Sequence, residues 1–184
     1  MGVRFFTALA AVFLVTVAVL GGAGYAVTRL AVPAPRELFR AAPFDFELAH
    51  GWWCELDGTE YVCNPPGRPP HVAIAVIAMK ERSGSDNLAA YQQHLEKPQP
   101  AGAADKGAAE MSQVRFVRRR TLAGHEWVEA LHSGSEIPNY DTYYLGTTTS
   151  HIGILVTLSV HKDHVGKYIA QLQDMMGTLN IYQR

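Results

Sequence analysis

Beyond residue 50 the chain alternates apolar and polar positions with a period of two over several segments, the spacing of half-buried strands. "SQVRFVRRRT" and "HEWVEALHS", joined by Leu122-Ala123-Gly124, predict an antiparallel pair. On the first, Val114 and Phe116 are expected on one face and Arg115, Val117 and Arg119 on the other. On the second, His125, Trp127, Glu129 and Leu131 share a face, and Glu126, Val128, Ala130 and His132 share the opposite one. "YDTYYLGTTT" and "HIGILVTLSVH" add two more strands. The uninterrupted apolar run "HVAIAVIAM", residues 71–79, predicts a central strand covered on both sides.

The period changes to helical in two places. Leu88, Tyr91 and Leu95 form a stripe behind the capping residues Ser85-Asp86-Asn87, and Pro98 ends that helix. "DHVGKYIAQLQDMMGTL" carries Val165, Tyr168, Leu172, Met175 and Met176 at helical spacing, with Asp163 placed as its cap. Between them, "PQPAGAADKGAAE" lacks bulky residues and reads as a surface loop.

The N-terminal part has no such periodicity. Phe5 to Val27 is an uncharged run, long enough at about 1.5 Å per residue to cross a hydrocarbon core of about 30 Å. Residues 1–27 are therefore read as a signal-anchor, or as a cleaved signal peptide with a cut before Val27; either exports the rest of the chain. Residues 28–43, with Pro33, Pro35 and Pro43, read as a stalk, and the extracytoplasmic domain as 44–184. The expected location is a membrane with the C-terminal domain outside the cytoplasm, or the periplasm or exterior if the leader is removed.

Export gives the two cysteines a meaning. In "GWWCELDGTEYVC" a hairpin with a four-residue loop at 57–60 sets Cys54 opposite Cys63, Glu55 opposite Val62 and Leu56 opposite Tyr61, within disulfide reach. A two-residue Asp-Gly turn would instead oppose Cys54 and Tyr61. We expect a structural Cys54–Cys63 disulfide, formed in an oxidising compartment.

The order of hairpin, strand, helix, four strands and helix is an α+β fold, a mostly antiparallel sheet flanked by two helices. "GWWCELDGTEYVC", then "VAIAVIAM" before "NLAAYQQHL", and the closing "GILVTLSVHKDHVGKYIAQLQDMMGTL" resemble the PsbP/Mog-type sandwich over roughly residues 44–182. That resemblance implies an accessory role in binding and assembly of membrane complexes and transfers no functional residue.

Candidate chemistry is sparse. Sixteen basic residues against seventeen acidic ones leave a formal charge of −1, with no pull toward nucleic acid. There is no G-x-S-x-G and no P-loop. His161 and His164 flank Asp163 and are weak metal candidates, but a zinc site needs a third protein ligand, for which His132 is a remote option. They carry the alternative reading, a small metal-dependent enzyme. Glu126 and Glu129 fall on opposite strand faces, which disfavours paired acid–base work. Arg115, Arg118, Arg119 and Arg120, with Tyr140 and Tyr143, are a possible partner surface; the arginines also suit a solvated edge strand and the tyrosines a core. No cofactor is expected. The reading is a non-catalytic, membrane-tethered accessory protein with a protein partner in the envelope.

Overall fold

The computed structural model describes residues 36–101, 110–134, 137 and 139–182. The chain runs β1 (Leu38–Arg40), β2 (Phe44–Glu47), β3 (Trp53–Asp57), β4 (Glu60–Asn64), β5 (Ala73–Glu81), α1 (Leu88–Leu95), β6 (Pro100–Ala101) and β7 (Glu110–Met111). It continues through β8 (Gln113–Leu122), β9 (His125–Ser133), β10 (Tyr140–Thr148), β11 (Ile152–His161), α2 (Val165–Met176) and β12 (Asn180–Ile181). A seven-stranded sheet has the order β3-β4-β5-β11-β10-β9-β8, and a three-stranded one the order β1-β2-β12. All neighbouring strands are antiparallel. The described residues thus form an α+β fold, mostly antiparallel sheet with two helices. The segment read as an anchor lies outside the described residues, and no helix among those described is long and apolar enough to cross a membrane.

The large sheet is unequally covered on its two faces. Register places Ile77, Val156 and Leu145 in one row and Ala75, Leu158, Tyr143 and Leu131 in the next, all on the face beneath α2 and the small sheet. This is the main core, closed by Tyr168, Leu172, Met175 and Met176 of α2 and by Phe44 and Phe46 of β2. The helical stripe of the sequence therefore faces the sheet as its period requires. Across the sheet, α1 places Leu88, Tyr91 and Leu95 against Val117, Val128, Ala130 and Tyr144 only.

Three sequence expectations change. The folded unit begins before Phe44, inside the segment read as stalk, because Phe39 of β1 packs on Phe46 and Tyr61 with ring centroids 5.3 and 5.5 Å apart. Burying one such side chain is worth roughly 1.5–3 kcal/mol, enough to order a short strand behind a proline-rich run. On β8, Val114 and Phe116 are not on one face: a bulge at Arg115 sets Val114 opposite His132 and Phe116 opposite Leu131, which inverts the alternation from there on. Finally, α2 is entered through a 3₁₀ turn at Lys162–His164 whose cap is His161, its Nδ1 accepting the Asp163 N–H at 3.4 Å, so Asp163 does not cap the helix.

The β8–β9 connection carries a local cost. Leu122 pairs with His125, leaving a two-residue turn with Ala123 at φ +50° and Gly124 at φ +76°. Both positions are left-handed, where Asn-Gly is the favoured pair and alanine is strained by about 1 kcal/mol. Ala123→Asn is expected to raise unfolding free energy by about 0.5–1 kcal/mol, read as a higher urea midpoint at unchanged slope.

Candidate functional site

The cysteine hairpin pairs as the four-residue-loop reading requires: Cys54 with Cys63, Glu55 with Val62, Leu56 with Tyr61. The turn itself is tighter, because Asp57 and Glu60 also pair and leave Gly58-Thr59 at the tip, Gly58 taking φ +61°. Cys54 and Cys63 form a disulfide with Cα atoms 4.0 Å apart, and Cys63 is fully buried against the main core. Closing this short loop contributes roughly 2–3 kcal/mol by the chain-entropy estimate. Cys54→Ala/Cys63→Ala is expected to lower unfolding free energy by about that amount in denaturant melts, and reductant should reproduce the loss in the native protein.

The arginines do not form one patch. Beyond the bulge, Arg118 and Arg120 lie on the main-core face, where Arg118 Nε donates to Glu129 Oε2 at 2.6 Å and Arg120 Nη1 to Oε1 at 3.3 Å. Glu129 is 0% exposed. Its carboxylate also accepts from the Tyr143 hydroxyl at 2.6 Å and from Gln173 Nε2 of α2 at 2.9 Å. Burial works to raise its pKa, but the Arg118 hydrogen bond, the Tyr143 hydroxyl and the guanidinium charges together hold it below the ordinary carboxylate value. Burial and that same carboxylate push the Tyr143 hydroxyl upward. The cluster is a structural tie between the edge strand, the sheet and α2, with Oε1 accepting from Arg120, Tyr143 and Gln173 and Oε2 from Arg118. Arg119 projects from the other face and donates to Gln92 of α1 at 3.1 Å, while Arg115 sits at the bulge, exposed.

The tyrosine pair is likewise divided. Tyr143 is buried in the cluster just described, and Tyr140 is partly buried with its hydroxyl on the His71 carbonyl at 3.2 Å. Its ring stands edge-on to His161 at 5.5 Å. His161 and His164 have ring centroids 6.2 Å apart, with Asp163 Oδ2 3.4 Å from His161 Nδ1. Among the described residues no group of three His, Cys, Asp or Glu side chains is placed to hold a metal ion. His132 is not a third ligand for that pair; it is bonded to α1 and to Ser112, at the entry to β8.

What the sequence pattern missed is on the α1 side of the sheet. Because α1 covers only the β8–β10 half, the alternate positions of β5 and β11 stay partly open: Ile74, Val76, Ala78 and Thr157 are half-buried and Leu155 is 37% exposed. Among the described residues, the apolar run that predicts two-sided coverage is fully covered on one side only. Between it and α1 lies a groove of about 620 Å³ with Ala78, Leu155 and Thr157 on its floor and Tyr91, Leu95 and Tyr144 along its wall. Gly146 and Gly153 seat the Tyr91 ring: a Cβ on Gly146 would come within 3.0 Å of the ring, and one on Gly153 within 2.5 Å of its hydroxyl. The floor's main-chain groups are consumed by the β5–β11 ladder from Ala73 to Glu81, so the groove offers apolar contact without backbone hydrogen bonds.

Both ends of the α1 wall are tied down. At its start, Asp86 accepts from Lys80 Nζ at 2.7 Å and from the Ser83 N–H and hydroxyl at 2.9 Å each, which pulls its pKa down to about 2. Next to it, Asn87 Oδ1 caps the helix by accepting the Ala90 N–H at 2.9 Å. At the other end the fully buried His132 reaches the Leu95 carbonyl through Nε2 at 2.9 Å and Ser112 Oγ through Nδ1 at 3.1 Å. A carbonyl only accepts, so Nε2 carries the hydrogen.

No family model matches the chain, and no curated protein matches its sequence. Solved structures do match. The cyanobacterial PsbP protein CyanoP of Synechocystis sp. PCC 6803 superposes with a TM-score of 0.54 at 10% identity over 82% of this chain and 95% of that one. LpqN of Mycobacterium tuberculosis, described as involved in cell envelope biogenesis, gives 0.54 at 12% over 82% and 87%. PA94 of Pseudomonas aeruginosa gives 0.52 at 16% over 82% and 100%. At these identities the likeness is one of architecture: the chain has the PsbP/Mog-like fold that its element order resembles.

Proposed function

We propose that the chain is a non-catalytic accessory protein of the cell envelope, held at the membrane by the apolar segment 5–27, with the domain from residue 36 outside the cytoplasm. In this reading the domain binds a protein component of an envelope or membrane complex and serves its assembly or stabilisation. The observation that carries it is the open half of the α1 face. An apolar, concave surface on a single small domain marks a binding site, whereas Glu129, Tyr143 and Asp86 are engaged by neighbouring side chains. The rim is charge-balanced, Lys80 standing on Asp86, so the segment that fits it is apolar and without net charge. A link to the envelope draws support from the neighbour LpqN and from a disulfide that needs an oxidising compartment.

The test is copurification of the tagged, full-length chain from native membranes after mild crosslinking. One protein recovered in near-stoichiometric amount is the expected result; recovery of the chain alone would contradict the reading. Alkylation of the intact cells before lysis should find neither Cys54 nor Cys63 reactive.

A further inference from the structure

We infer that His132 is a proton-operated latch on the groove wall, holding the C-terminal end of α1 against the sheet at neutral pH and letting it go in acid. The inference concerns regulation of the binding face proposed above and rests on that reading for its function, although not for its test.

The wiring around the ring admits only the neutral form without loss. Nε2–H donates to the Leu95 carbonyl, the last residue of α1, and Nδ1 accepts the Ser112 hydroxyl hydrogen. Ser112 Oγ itself receives the Gln99 N–H at 2.8 Å, and the Ser112 N–H returns to the Gln99 carbonyl at 2.8 Å. A second proton on the ring would sit on Nδ1 and point at Ser112 Oγ. That oxygen would then face two N–H donors, and its own hydroxyl hydrogen would lose the nitrogen it points to. The charge would also be buried, since His132 is 0% exposed. Around it stand Val128, Ala130 and the Tyr144 ring, the last edge-on at 5.1 Å. Of titratable groups, His94 on α1 acts on the ring through its charge and Tyr144 on β10 stands edge-on to it, while Ser112 bonds it from the entry to β8; among the described residues no carboxylate acts on it to offset a positive charge. Burial and His94 both disfavour the proton, the Leu95 carbonyl favours it, and the net direction is downward from the ordinary value.

The opposite end of α1 does not respond in the same range. Asp86 stays ionised down to about pH 2, so its ties to Lys80 and Ser83 persist while His132 titrates. A short helix with one end fixed and one releasable is a hinged wall. Leu95 is the one buried residue of α1 and its carbonyl is the group His132 holds, so the last turn is the part that opens, while Tyr91, seated on Gly146 and Gly153, stays with the fixed end.

The sign follows from linkage. A histidine whose folded value is depressed binds its proton better when the wall is open, at about pH 6.5 for a free imidazole. The opening equilibrium should therefore rise as pH falls below about 6.5, by up to tenfold per pH unit for one proton, and level off below the closed-state value. Amide hydrogen exchange, corrected for the intrinsic pH dependence of exchange, reads this directly. In the native chain, protection of the amides of Glu96, Lys97 and Gln99 should fall about tenfold between pH 6.5 and the steep part of the curve, while the Ala90 amide beside Asn87 holds. His132→Gln, which keeps a donor for the Leu95 carbonyl but cannot titrate, should lose that pH dependence. Uniform protection at both ends of α1 across pH 7.5 to 5 in the native chain would overturn the latch, and so would an unchanged pH dependence in His132→Gln. Should that variant not fold, nitrogen NMR of the native His132 decides: a neutral Nε2–H ring down to below pH 6 supports the proposal, and a charged ring at pH 7 overturns it. None of these results bears on whether a protein copurifies, so failure of the latch leaves the binding reading intact.

Discussion

Replacing Arg118 and Arg120 together by alanine is expected to destabilise the fold by about 3–5 kcal/mol, because it leaves the Glu129 carboxylate buried without a counter-charge. Tyr143 and Gln173 would still donate to it, but two neutral hydrogen bonds do not replace two guanidinium charges beside a carboxylate that is itself cut off from water. Glu129→Gln should cost less, about 1–2 kcal/mol, since no charge then remains inside and the arginines reach water. Urea melts at pH 7 measure both. A double arginine variant no less stable than Glu129→Gln would show that the arginines do not serve the buried charge. The same cluster sets an acid limit. Glu129's folded value lies below its unfolded one of about 4.3, so its contribution is whole above that pH and is lost as pH falls through the folded value. His132 acts earlier, losing its contribution as pH drops below about 6.5. Two separate acid steps are thus expected, the upper one absent from His132→Gln and the lower one from Glu129→Gln.

Trp127→Ala should cost about 3–5 kcal/mol, the other large effect. Trp127 is 0% exposed in the main core beside Glu129, and its Nε1–H donates to the Leu122 carbonyl at 3.2 Å, tying the β8–β9 turn to the strand behind it. Alanine would leave a cavity in the main core and remove the indole's bond to the Leu122 carbonyl. Trp53 makes the useful contrast: it projects from β3 on the open side and is 43% exposed, so Trp53→Ala should change stability by about 1 kcal/mol or less. Equal losses from the two substitutions would mean that the faces are assigned the wrong way round.

Local regularity decides which features are legible in the chain. The hairpin register could be read because the two cysteines and the turn residues between them agree on it. The burial of Glu129 was visible in part, since period two puts it on the face of Trp127 and Leu131. Its neutralisation was not, because the partners come from the next strand after a bulge that flips Arg118 and Arg120 inward, and a bulge leaves no periodic mark. The same period put His132 with Val128 and Ala130, a signal for burial that a search for metal ligands passes over. Strands β1, β2 and β12 are too short, and β1 and β2 too close to prolines, to carry a period; β1 and β2 exist because aromatic side chains pack across them, and β12 pairs on β2. The groove was hidden for a different reason. An apolar run on β5 states that both faces avoid water and is silent on whether this chain or another molecule covers the second.

If that second face binds a protein, a photo-crosslinking amino acid placed at Leu155 in the full-length chain, expressed in its native cells, will capture it. Leu56, 62% exposed on the disulfide hairpin away from the groove, is the control position. One discrete protein adduct is expected from position 155 and none of that mass from position 56. Equal labelling from both positions, or irradiation that leaves the chain at position 155 without a protein adduct, would contradict it.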